Sequence, residues 1–305
     1  MIHPITFHSL PRKGFLDPQT SGYLVLYGVV VIWAGFALTL RAIGSSPLAP
    51  ADVALMRFCV PVIALLPFLP SRLARLRQLH VRDALMVLCG GIPFFFIATE
   101  GARTTSAAHV GALIAGTAPL SVGIIGYFLE RRRIPRKQIF PLALIVAGAI
   151  GTIASQQSML APGGLRGVGF LIVASILWGI YTIGLRRAGM DAIGNALFLA
   201  IISLVVLIAL IITGATPSHL GGFTLHQALP FILIQGLGVG LLATLGYAFA
   251  ITRLGTSKSA TIGSLAPALA SLLAIPVLGE QLGPGIAASI IVITAGVLLA
   301  NRSTS

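Results

Sequence analysis

Four aromatic side chains at helical spacing can form one wall of a binding chamber. Trp33 and Phe36 stand three residues apart, as do Trp178 and Tyr181, and that spacing puts each pair on one helix face. Such rings accept an apolar side chain or stack on another ring. The competing reading is helix packing or an interfacial belt, but belt tryptophans belong near span ends, and both of these fall near the middle of an apolar stretch. Tyr247 and Gln235 carry polar atoms in apolar surroundings and need partners; each touches substrate or makes an interhelical hydrogen bond. Phe95 is a further candidate from the triplet behind Pro93, because three successive rings point three ways and at most one or two face a chamber. His109, beside Thr104, Thr105 and Ser106, suits a substrate carboxylate or a proton relay, and equally a helix start wetted by a vestibule. Arg57 is a cation inside an apolar stretch, and Asp52 is the partner expected for a structural ion pair. Glu100 and Arg103 read as a rim ion pair of small energetic weight. Pro119 and Pro267 also interrupt apolar stretches, where proline deletes a backbone bond and bends a helix; they are expected as hinges, with static kinks as the alternative.

The elements that position these residues are membrane helices. The 305 residues are 56% hydrophobic and 9% charged, with a mean hydropathy of +1.00. A water-soluble domain cannot hide that much apolar surface. A span needs roughly 20 apolar residues, and ten segments qualify: Gly22–Leu40, Val53–Leu69, Asp83–Thr99, Ala107–Leu129, Gln138–Ala154, Gly167–Leu185, Ile193–Thr213, Gln227–Ala250, Ser259–Leu278 and Pro284–Ala300. The net charge of +13 would suggest nucleic acid in a soluble protein; here the basic residues sit in short loops and report topology instead. Of 20 Lys and Arg, Arg41, Arg103 and Arg166 fall on one side, Arg57 falls in a span, and the rest gather on the other side. That asymmetry puts both termini on the cytoplasmic side, of a membrane expected to be a bacterial inner membrane. Cys59 and Cys89 lie in apolar segments, with neither a disulfide framework nor metal spacing.

The chain repeats itself. Ile32-Trp33-Ala34-Gly35-Phe36, followed by Arg41 and Gly44, recurs 145 residues on as Leu177-Trp178-Gly179-Ile180-Tyr181, followed by Arg186 and Gly189. Ala118-Pro119, Glu130 and Ala147-Gly148 recur as Ala266-Pro267, Glu280 and Ala295-Gly296. The expected division is a tail over 1–20, a first repeat over 21–154, a linker over 155–166, a second repeat over 167–300 and a tail over 301–305. Five spans per repeat is an odd number, so the repeats enter the bilayer from opposite sides. Arg41 is then external and its counterpart Arg186 internal; Glu130 is internal and Glu280 external. An all-α, ten-helix protein made of two inverted five-helix repeats is the architecture of secondary transporters.

The doubled Trp-Gly phrases, Arg57 in the second span, Pro119 and Pro267, Glu130 and Glu280, and Gly148 and Gly296 together resemble the drug/metabolite transporter superfamily in its ten-helix EamA-type form, from about residue 21 to 300. A finer resemblance is to YddG-type amino-acid exporters. The resemblance implies a cavity formed by helices 1, 3, 4, 6, 8 and 9, with helices 5 and 10 peripheral. Glu100 and Arg103 depart from the small or apolar residues usual at the end of helix 3.

The function expected is export of aromatic or hydrophobic amino acids and related metabolites by alternating access, with the lipid bilayer as surroundings, no cofactor or metal, no nucleic acid and no required oligomer. The chain carries no Walker loop, His-Glu-x-x-His or Gly-x-Ser-x-Gly phrase, which argues against an ATPase or those hydrolases. No carboxylate lies at the centre of a span, which points to movement down a gradient without a fixed coupling ion. Two alternatives stand beside this: an exporter of lipophilic cationic drugs, which needs a deep acidic residue, and an intramembrane lipid-modifying enzyme, which needs clustered Asp or His.

Overall fold

The computed structural model describes residues 17–131, 134–155, 164–281 and 283–302. Most of the expected N-terminal tail, the middle of the linker and the last three residues lie outside the described residues, as do Arg12, Lys13, Arg132 and Arg133. Nine described helices are long and apolar enough to cross a membrane: α1 Pro18–Ile43, α2 Pro50–Phe68, α3 Val81–Arg103, α4 Ala107–Glu130, α5 Arg136–Ala154, α6 Leu165–Ala188, α7 Ala192–Ile212, α8 Leu225–Leu254 and α9 Thr256–Leu278. The tenth, α10, runs Pro284–Arg302 with a shorter apolar stretch. Pro18 to Thr20 and Leu165 to Arg166 are helical, so the expected N-terminal tail and linker both yield residues to the helices they adjoin.

Helix starts follow local chemistry. The Asp17 carboxylate accepts from the N–H groups of Gln19 and Thr20 at 3.1 and 3.4 Å, with Pro18 in the first turn; this satisfies donors that a helix start leaves open. Asp191 does the same for Gly194 at 2.8 Å, and Thr224 with Gln227 forms a capping box on α8. Helices α4 and α9 end in the same way, on left-handed residues: Arg131 at φ 53° and Gly279 at φ 66°. Arg131 is the exception among the described non-glycine residues, in a conformation glycine adopts freely.

The exterior is apolar. Helix α7 exposes Val205, Val206, Ile208 and Ile212 while burying Asn195 and Ser203, the reverse of a soluble helix and the arrangement that lipid requires. Helices α5 and α10 pack mainly on each other, and the repeated Ala-Gly phrase explains how. A Cβ at Gly148 would stand 2.8 Å from the Ser289 carbonyl oxygen, and one at Gly296 would stand 2.9 Å from that of Pro141. The two backbones meet where neither residue has a side chain, as small residues allow in membranes.

The helices around the centre are broken. Helix α3 is interrupted at Cys89–Gly91, α4 carries a π-helical stretch over Gly111–Gly116, and α8 carries one over Ile232–Ala243. Helix α9 breaks at Ser264–Leu265. Pro119 and Pro267 each lie in the first turn of the segment after such a break. At that position a missing N–H removes no helix bond, so the interruption precedes the proline.

Candidate functional site

The two repeated tryptophans meet at the centre. Trp33 of α1 and Trp178 of α6 touch edge to face, with centroids 5.1 Å apart and planes at 88°. The Tyr247 ring lies 4.9 Å from Trp33 and 5.5 Å from Trp178, and Tyr181 lies 5.0 Å from Trp178. Phe94 lies 5.2 Å from Trp178 and 5.9 Å from Phe36. The six rings form one cluster where the repeats face each other. Glycines make room for them: a Cβ at Gly90 would stand 2.5 Å from the Tyr181 ring, and one at Gly263 2.5 Å from that of Trp33.

The cluster is closed. The space among Trp33, Phe36, Arg57, Phe94 and Trp178 measures about 30 Å³, and a second void beside Tyr181 and Tyr247 about 10 Å³. One or two waters fit such volumes; a ligand of ordinary size needs a pocket of roughly 300 Å³ or more. The first void is lined from α1, α2, α3, α4, α6, α8 and α9. This is the expected helix set with one addition, α2, which contributes Arg57.

Arg57 does not pair with Asp52. The two lie about 140° apart around α2, five residues at 3.6 per turn. The Asp52 carboxylate instead accepts from the Ala49 N–H at 2.8 Å, the Ser218 hydroxyl at 2.5 Å and the His219 N–H at 3.0 Å, pinning the loop before α8 to the start of α2. Arg57, 4% exposed, donates from Nη1 to Gln235 Oε1 at 3.0 Å, and Gln235 Nε2 donates to Thr39 Oγ1 at 2.8 Å. Its guanidinium lies 5.1 Å from the Phe36 centroid, 5.7 Å from Phe95 and 5.9 Å from Phe58. Burying a cation costs several kcal/mol even after relaxation, and aromatic faces return about 0.5–2 kcal/mol each. No carboxylate completes the compensation. All seven acidic side chains of the chain are occupied elsewhere: Asp17 and Asp52 at helix starts, Asp83 on Arg187, Glu100 on Arg103, Glu130 on Arg186, Asp191 on Arg72, and Glu280 on the Ala107 N–H.

The other candidates are placed as follows. Phe94, rather than Phe95, joins the ring cluster; Phe95 is fully buried behind it, under Arg57. Gln235 is fully buried as the bridge from Arg57 to Thr39. His109 stays off the chamber wall: its Nδ1 lies 2.9 Å from Ser106 Oγ, and its buried Nε2 has no hydrogen-bond partner among the described residues. The rim pair is present, with Arg103 at 3.1 Å from Glu100. Phe94 and Thr39 adjoin the candidate site and were left out of the sequence reading. Thr39 had a signal, a hydroxyl three residues beyond Phe36 on the same helix face.

Each end of the molecule carries a larger cavity of about 340 Å³. One is lined by Arg41, Thr105, Ser106, Ser271 and Glu280, the other by Pro119, Glu130, Gln138, Thr256 and Ser257. Both lie between the end of one repeat's first helix and the fourth and fifth helices, so the inverted symmetry relates them. Their charges differ in state. Glu130 and Arg186 form an ion pair, and Thr117 and Ser121 each meet the Ser175 hydroxyl at 2.7 Å, tying α4 to α6. At the other end, Arg41 pairs with no carboxylate among the described residues, and Glu280 accepts from Ala107 N–H at 3.2 Å.

A sequence model of an EamA-like transporter family matches residues 20–154 and again residues 165–302, so each repeat matches by itself. The chain belongs to the EamA-like transporter family. It is similar to an uncharacterized transporter of Clostridium kluyveri, 24% identical over 263 residues that cover 82% of this chain and 83% of that one. It shares its fold with a protein of known crystal structure at a TM-score of 0.69 and 18% identity, covering 93% of this chain and 98% of that one. This EamA-like protein is therefore a multi-pass membrane transporter of small molecules, not an enzyme. The inverted halves read from the sequence are the family's own repeat.

Proposed function

We propose that this transporter exports aromatic and hydrophobic amino acids and related metabolites by alternating access, from a bacterial inner membrane in which both termini are cytoplasmic. The observation that carries the reading is the six-ring cluster at the crossing of the repeats, closed at the centre and flanked by symmetry-related cavities. A closed site between two vestibules is what a carrier requires and an open pore lacks. Rings that hold one another in this arrangement can instead hold an apolar side chain once they separate.

On this reading the Glu130–Arg186 pair is a shut gate on the cytoplasmic face, and Arg41 with Glu280 is its open counterpart on the outer face. Pro119 and Pro267 mark hinges about which the outer halves of α4 and α9 swing. Arg72, Arg75, Arg136, Lys137, Arg187 and Lys258 lie on the proposed cytoplasmic face, in accord with the positive-inside rule. A lipophilic cation is disfavoured as substrate, since it would meet Arg57 and no carboxylate. With every carboxylate occupied outside the chamber, direction follows the substrate gradient, which for amino acids made in the cell is outward.

Uptake of labelled phenylalanine into proteoliposomes tests the reading. Flux is expected to saturate and to be accelerated by unlabelled phenylalanine on the far side. Trp33→Ala, Trp178→Ala and Tyr247→Ala are expected to lose roughly tenfold or more in rate, the scale of one large buried contact. Three well-folded variants that transport at the parental rate would sink it.

A further inference from the structure

We infer that Arg57 is the docking point for an anionic group of the substrate, so that the chamber selects molecules joining a carboxylate to an apolar body. This rests on the amino-acid reading above and adds which charge the site demands and which residue supplies it. Arg57 lines both central voids, sits beside the ring cluster, and is 4% exposed. One of its nitrogens is spent on Gln235; the rest of the guanidinium fork has no hydrogen-bond partner among the described residues. The seven carboxylates of the chain all have other partners, so none of them neutralises this cation and a carboxylate carried by a ligand can.

The surroundings fit that role. Gln235, anchored on Thr39, fixes the guanidinium from one side, and the faces of Phe36, Phe58 and Phe95 hold it from others. A planar fork held this way can meet a carboxylate in bidentate fashion. The same arrangement repels an amine that lacks the acid. The ammonium of an amino acid then lies on the side of the carboxylate away from Arg57, and its side chain among the rings.

The molecule carries its own reporter. Its two tryptophans, Trp33 and Trp178, are both in the cluster, so intrinsic tryptophan fluorescence of the purified protein reports on the chamber alone. Three probes separate the charges: L-phenylalanine, 3-phenylpropionate, which keeps the acid, and phenethylamine, which keeps the amine. The first two are expected to shift the fluorescence saturably and the third to leave it unchanged. Arg57→Gln is expected to weaken phenylalanine binding by about thirtyfold or more, as for a buried charge pair that loses one member, with Arg57→Lys between the two.

A second variant guards against misfolding. Gln235→Glu places an internal carboxylate where Oε1 already meets Arg57, so it is expected to raise the melting temperature and to weaken phenylalanine binding at least tenfold with Arg57 intact. A merely structural Arg57 would show the first effect without the second. Phenylalanine binding unchanged in folded Arg57→Gln or in Gln235→Glu overturns the anchor and leaves the amino-acid reading standing, as does phenethylamine binding as tightly as phenylalanine. A parental protein that answers to none of the three probes overturns both.

Discussion

The Glu130–Arg186 pair offers the sharpest test of alternating access, because the proposed cycle makes it in one state and breaks it in the other. Arg186→Gln removes it. The Glu130 side chain is 12% exposed and that of Arg186 37%, so the pair lies between two regimes. Fully exposed pairs contribute about 0.2–1 kcal/mol, and hydrogen bonds to buried charged groups about 1.5–3 kcal/mol. A value near 1.5 kcal/mol follows, about a tenfold change in the ratio of the two conformations. Two cysteine reporters read that ratio in a background without Cys59 and Cys89. Ala260→Cys, 1% exposed, lines the Glu130 cavity; Ser271→Cys, 3% exposed, lines the Glu280 cavity. An impermeant maleimide added to each face should label Ala260→Cys about tenfold faster in Arg186→Gln and Ser271→Cys only slightly slower, because the shut-at-Glu130 state remains the majority. Exchanging the charges, Glu130→Arg with Arg186→Glu, should restore the parental rates, and Arg41→Gln should shift the ratio the other way. Labelling that rises at both ends together, or moves at neither, removes the pair from the gating cycle.

Other perturbations separate structural from functional roles. Asp52→Asn should cost about 1–3 kcal/mol by loosening the loop at Ser218 and His219, and a double-mutant cycle with Arg57→Gln in thermal melts should be additive because the two side chains do not meet. Gly148→Val and Gly296→Val should each lower the melting temperature by the equivalent of about 1–3 kcal/mol, the range for overpacking; a neutral result would mean that α5 and α10 separate freely. Partial burial tends to raise the Asp191 carboxyl, but hydrogen bonds from Arg72 and the Gly194 N–H outweigh it and hold the group below the ordinary carboxylate range. Its contribution is therefore complete above the unfolded value of about 3.9 and fades as pH falls through the lower folded value; melts of Arg72→Gln and the parent should converge in that acid range. The half-exposed carboxylate limits the difference to under about 1 kcal/mol.

The helices and their inverted pairing were legible because lipid imposes length and hydrophobicity on every span, and because the doubled phrases mark equivalent positions. The meeting of Trp33 with Trp178 followed from the same symmetry. The partner of Arg57 was not legible, since nearness in sequence favoured Asp52 while helix rotation points the two apart; the actual partner, Gln235, is 178 residues away. The choice of Phe95 over Phe94 failed for a related reason. Three adjacent phenylalanines have no periodicity to separate them, and it is Phe94 that meets Trp178 in the fold. The turning of His109 on α4 away from the chamber likewise depended on a rotation that its Thr and Ser neighbours did not encode.

The two ends of the molecule are related by symmetry but not by chemistry, and that difference supports a preferred resting state. Thr117, Ser121 and Ser175, which join α4 to α6, correspond at the repeat offsets to Leu265, Leu269 and Val30. The equivalent junction of α9 with α1 therefore has no hydroxyls to tie it. If both gates carry an ion pair of similar worth when shut, the extra hydroxyl bonds favour closure at the Glu130 end, by about 0.5–1.5 kcal/mol for each bond made in one state only. The same helices reach the chamber. Glu130 ends the helix whose π stretch lines the central void, and Glu280 follows the helix whose break begins beside Gly263, under the Trp33 ring. The π stretch packs on Pro267, the other proposed hinge, as well: a Cβ at Gly111 would stand 2.9 Å from the Pro267 Cα. A swing of either outer segment is thus felt at the ring cluster. Replacing Ser175 by alanine should then raise labelling of Ala260→Cys severalfold while leaving phenylalanine affinity, once corrected for the shifted ratio, unchanged. A change in that corrected affinity would mean that the hydroxyls belong to the chamber and not to the gate.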